Sequence, residues 1–114
     1  MDFSLTEKMQ TILGMIADFV ARELEPMEED FLRYPFGSLL PELEKKRAKV
    51  KQMGLWAPGQ PEELGGMGLD LVGLGLVSEA VGGTPLGHFV FGCQAPDAGN
   101  IEILHLHGTP EQKE

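Results

Sequence analysis

Met9, Ile12, Leu13, Ile16, Val20 and Leu24 recur at steps of three and four, while Lys8, Asp18, Arg22 and Glu23 fall largely off that stripe. The spacing predicts an amphipathic helix with one buried face. Ser4-Leu5-Thr6-Glu7 has the form of a capping box, which starts the helix at Ser4. Pro26 kinks or ends it, because a proline lacks the amide hydrogen and crowds the preceding turn. From Met27 to Pro41 charges mix with Tyr34-Pro35-Phe36-Gly37, and the residue before a proline is pushed out of the helical region, so this stretch reads as a connection.

A second helix is expected from Leu39 to Met53, with Leu39, Leu43, Val50 and Met53 inward, the lysines mostly outward and Gly54 as its stop. Leu55 to Met67 holds Pro58-Gly59, Pro61 and Gly65-Gly66, too many breakers for a regular element, and reads as an ordered loop. Asp70 then caps a third helix in which Leu71, Val72, Leu74, Leu76, Val77, Ala80 and Val81 leave little polar surface; it should be the buried one. After Gly82-Gly83-Thr84-Pro85, an apolar segment from His88 to Cys93 leads to Pro96, suited to the first turn of a helix that ends at Gly108. Thr109-Pro110-Glu111 announces one more helix, and the cap rules predict that the natural polypeptide continues past Glu114. The fold class expected is all-α, a small bundle of about five helices with an ordered Gly/Pro-rich loop.

Composition narrows the partners. The net charge is −9, unevenly spread: residues 1–53 carry 10 acidic and 8 basic side chains, residues 54–114 carry 8 acidic ones and a single lysine, Lys113. Such a chain lacks the excess of cations that neutralising nucleic-acid phosphates requires. One cysteine, Cys93, forms no intrachain disulfide, and no charged start with an apolar run and cleavage site is present, so an intracellular, cytoplasmic location is expected. Leu69 to Val81 is too short and too interrupted to span a membrane.

Candidate chemistry is sparse. Gly65, Gly66 and Gly68 match no phosphate-loop pattern and follow no strand, so they read as a tight turn. His105 and His107 lie two apart, about 200° around a helix, and do not share a metal ion; His88 stands alone. No neighbouring cation lowers the Cys93 thiol, which reads as buried and inert. Glu28-Glu29-Asp30 and Glu62-Glu63 read as solvated surface, and the run from Lys45 to Lys51 as a wet helix face.

Met53-Gly54-Leu55-Trp56-Ala57-Pro58 followed by Glu62-Glu63-Leu64-Gly65-Gly66-Met67-Gly68-Leu69-Asp70 resembles the N-terminal domain of the acyl-CoA dehydrogenases, where a Gly-Leu turn precedes P-E-x-x-G-G-x-G. Ser4 to Glu7, Arg22 to Pro26, Val77 to Gly82 and Gly108 to Lys113 match further family segments in order, so the resemblance covers essentially all of residues 1–114. Gly83 stands where many members carry a basic residue.

The resemblance implies three domains, of which this helical one is the first and a middle β-domain and a C-terminal helical domain follow. It implies FAD as the cofactor of the full-length enzyme, none bound by this chain alone, an acyl-CoA substrate, the downstream domains as partners and a homo-oligomeric assembly. In the family reaction a carboxylate removes the α-proton of an acyl thioester while the flavin takes the β-hydride; no residue here matches that base, and the chain alone is expected to be inactive. The contribution implied is one side of the acyl slot, built from His88 to Gly99. Phe91, Ala95 and Gly99 recur at four-residue steps and, on a continuous helix, share a face whose side-chain sizes limit the depth of an acyl tail, although Gly92, Pro96 and Gly99 interrupt the pattern. Two rival readings are a stand-alone helical module that grips a partner through Phe89 and Phe91, and the branch of the family that acts on alkylated DNA. The charge of the second half argues against the latter.

Overall fold

A computed structural model describes residues 4–114 and contains helices, turns and loops, with no strand among the described residues. The all-α expectation is met, and five of the α-helices have six residues or more.

Helix α1 spans Glu7–Phe19 and is capped by Thr6, not Ser4: Thr6 is extended and its hydroxyl accepts the Met9 amide at 3.2 Å. Both residues offer a hydroxyl, and the backbone selects the one directly before the first turn. Pro26 kinks the chain without ending the helical path. The ladder first widens into a π turn at Val20–Leu24, then tightens into a 3-10 turn at Glu25–Met27. That widening absorbs the missing amide and the bulk of the proline ring.

The expected connection after Met27 is instead helical. Helix α2, Glu28–Arg33, opens with Glu28, Glu29 and Asp30 and closes with Arg33, charges that match the helix dipole at both ends. The acidic cluster is thus spent on a helix start. Helix α3 spans Phe36–Gln52, three residues earlier than expected, because Pro35 occupies the cap position and the Ser38 amide turns back to the Pro35 carbonyl at 2.9 Å. Pro41 lies inside α3, early enough to cost one backbone bond without breaking it. Leu39, Leu43 and Val50 are buried as expected, whereas Met53 is exposed, since Gly54 at φ 74 turns the chain and sends Leu55 inward in its place.

Helix α4, Leu71–Val81, begins at Asp70, whose carboxylate accepts the Gly73 amide at 2.8 Å. It is not the buried helix. Gly73, Val77 and Val81 face the core, while Leu71 and Val72 are 83% and 71% exposed. The nearly uniform apolar pattern hid which face would find a neighbour. A short α5, Gly87–Val90, is followed by α6, Asp97–His107, and by α7, Pro110–Lys113, which carries a complete capping box at Thr109.

The core joins Ile12, Ile16, Phe19 and Leu24 to Leu43 and Val50 of α3, Val77 and Val81 of α4, and Leu86, Val90 and Phe91 around α5. Helix α6 contributes no buried residue to it.

Candidate functional site

The loop between α3 and α4 folds on its own carbonyls. Ala57 sits at φ 48, unusual for a residue with a Cβ, and its amide donates to the Phe91 carbonyl at 2.8 Å. Its own carbonyl accepts the Gln60 and Met67 amides. A Cβ on Gly66 would stand 2.2 Å from the Gln60 carbonyl oxygen, so this turn closes only around glycine. The glycines therefore make a tight turn with its inner side filled by backbone, as the sequence suggested, and the turn holds no phosphate cradle.

This loop, the start of α4 and one side of α6 enclose a cleft of about 440 Å³. Ala57, Gly59, Gln60 and Pro61 line it from the loop, Leu71 and Leu74 from α4, and Ala98, Gly99, Glu102, His105 and Leu106 from α6, together with Gly92 and Cys93. Two polar bridges hold α6 across it. The largely buried Gln60 donates its side-chain amide to the Ala98 carbonyl at 3.0 Å, and Glu63 meets His105 at 3.3 Å. His105 thus faces a carboxylate across the cleft, and no group of three metal-ligating side chains exists among the described residues.

The three residues picked from the sequence are separated here. Gly99 lies on the cleft wall with nothing within 4 Å of where a Cβ would stand, so any larger residue would project into open space. Phe91 is wholly buried behind the cleft, edge-on to Phe19 at 5.5 Å between ring centres. Ala95 is exposed, at a cis bond to Pro96. The shared helical face does not form, because Gly92 at φ 67 ends the α5 turn and α6 begins only at Asp97. Gln60, Leu74, Glu102 and His105 were missed, since they meet only when loop and helix fold together; a lone glutamine among prolines was their one local signal.

Other side chains depart from their sequence readings. His88 is not alone: its Nε2 lies 2.8 Å from the Ser78 hydroxyl. Cys93 lines the cleft, and burial pushes its thiol up to about 11, in line with an inert thiol. The basic run is only partly a wet face. Lys46 is 15% exposed and pairs with Glu23, which Lys49 also reaches at 2.8 Å. Arg47 stacks over Trp56 and Phe89. Phe91 is buried and Phe89 is half-buried between Arg47 and Phe36, so the two do not form the joint exposed patch that the stand-alone module would use.

The family model described as "Acyl-CoA dehydrogenase, N-terminal domain" matches residues 6–114. The chain belongs to this family. It is 34% identical over 119 residues to acyl-CoA dehydrogenase family member 11 of Gallus gallus, covering 97% of this chain and 15% of that protein. It is 32% identical to (R)-benzylsuccinyl-CoA dehydrogenase of Thauera aromatica, across 100% of this chain and 30% of the relative. A solved structure from Mycobacterium abscessus, assigned as an acyl-CoA dehydrogenase, superposes with a TM-score of 0.85 at 29% identity, over 97% of this chain and 30% of that one. The chain thus spans between about a seventh and a third of the length of these relatives, and it is an acyl-CoA dehydrogenase N-terminal domain. No helix among the described residues is long and apolar enough to cross a membrane.

Proposed function

We propose that the domain serves an FAD-dependent enzyme that dehydrogenates acyl-CoA thioesters, and that its own contribution is one wall of the slot holding the acyl chain. The cleft beside α6 carries the reading. Its volume of about 440 Å³ suits an acyl chain, its loop and α4 sides are built largely from Ala57, Gly59, Pro61 and Leu74, and at Gly99 the wall is as low as a side chain allows. Phe91 shapes that wall from behind, through the carbonyl that fixes Ala57, and Ala95 borders the turn into α6.

The loop glycines enclose backbone, and the cleft lining carries no lysine or arginine for a pyrophosphate. FAD and the catalytic base are therefore assigned to the middle and C-terminal domains of the full-length enzyme, and no chemical step is given to this chain. Those domains, and a second copy in a homo-oligomer, are the partners that the exposed side chains of α6 would meet.

The test is Gly99→Leu in the full-length enzyme. Its kcat/KM should fall about tenfold or more for long acyl chains relative to short ones, the scale set by a few methylenes denied a pocket. An unchanged ratio between long and short substrates rejects the assignment.

A further inference from the structure

Helix α6 divides two cavities. Opposite the cleft, its other side, Asp97, Asn100, Ile101 and Leu104, follows steps of three and four and closes a second cavity of about 230 Å³ against Arg47, Trp56 and Phe89. The Arg47 guanidinium lies 4.8 Å from the Trp56 ring centre and 4.3 Å from that of Phe89, and donates to the Phe89 carbonyl at 3.3 Å. It is thereby fixed in place on the cavity wall. Its Nε is buried without a hydrogen-bond partner, and the Glu44 carboxylate at 3.6 Å is too distant to be one. The ion pair of the guanidinium with Glu44 is a long one, and an anion in the cavity would give its cavity-facing edge a charged acceptor.

We propose that this second cavity binds a small free carboxylic acid, its carboxylate on Arg47 and an aryl-sized body against Trp56 and Phe89. A carboxylate matches the planar guanidinium fork, and charge-assisted bonds are about twice as strong as neutral ones. Asp97 opposes the anion, but it is exposed, so water screens the repulsion. Gln94 and Asn100 add neutral amides to the rim. The cavity shares only Gly92 with the acyl cleft, and neither reading depends on the other.

Trp56 is the sole tryptophan and lines this cavity, so its fluorescence can report on binding there. Titrating the chain with benzoate should give a saturable change, with benzyl alcohol about tenfold weaker. Arg47→Lys, which keeps the charge and loses the fork, should weaken benzoate about tenfold. Asp97→Asn should tighten it by about threefold, and Gly99→Leu, in the other cleft, should leave it unchanged. The absence of saturation, equal binding of benzyl alcohol, or weakening by Gly99→Leu overturns the proposal. Circular dichroism checks that Arg47→Lys folds; if it does not, an Asp97→Asn affinity equal to wild type is enough to reject the site.

Discussion

Single side chains here are constrained more by backbone than by their own chemistry. Gly66 is the sharpest case: because a Cβ would overlap the Gln60 carbonyl and crowd that of Ala57, Gly66→Ala should destabilise the domain by about 2–3 kcal/mol. Denaturant unfolding measures this, and a loss below about 0.5 kcal/mol would mean that the loop rearranges at no cost. Glu23 shows the opposite, a residue whose neighbours tune it. Hydrogen bonds from Lys46 and then Lys49 hold its carboxyl below the ordinary value near 4.5, against the smaller effect of burial. A carboxyl lowered in the folded state adds stability above its ordinary pKa and loses it as pH falls through the lowered one. Glu23→Gln should therefore flatten the decline in stability as pH falls below the ordinary carboxyl value near 4.5, and melting curves at falling pH decide it. Sequence showed neither effect, since Glu23 and Lys46 are distant in the chain and become neighbours only when the π turn meets α3.

At the level of elements, starts were easier to read than faces. Asp70 capped α4 and Thr109 capped α7 as their local sequences require, because a cap bonds within its own first turn. Asp70→Ala should cost about 1 kcal/mol, while Leu71→Ser, one residue on and exposed, should change stability by less than about 0.5 kcal/mol; paired unfolding curves test the contrast. Had α4 been the buried helix that its apolar pattern suggested, Leu71 would be the more damaging change. The Pro26 region was legible as a disturbance, but not as a π turn relayed through a 3-10 turn into α2, since that outcome depends on Val20 and Leu24 keeping their places in the core.

On the scale of the whole molecule, the domain is flattened, 42 × 40 × 23 Å, with a radius of gyration of 14.9 Å against the roughly 13 Å of a compact chain this long. Helix α6 lies at its margin with Ile101, Ile103, Leu104 and Leu106 exposed. Apolar surface of this kind drives association, so the chain by itself should self-associate at micromolar concentrations, and Ile103→Lys should shift it toward monomer with little change in melting temperature. Sedimentation velocity of both forms reads the result; a monodisperse wild-type monomer would show that α6 needs no cover.

Residue order alone determined the helical class, the position of the ordered loop, most helix caps and the family motif from Met53 to Asp70, because these follow from spacing, capping and glycine geometry within a few residues. Tertiary structure decided which face of α4 is buried, that Phe91 belongs to the core and Gly99 to the cleft, and that Gln60 and His105 cross to meet their partners. Those outcomes turn on contacts between segments tens of residues apart, where the free energy of burial is shared among elements that no local pattern can rank.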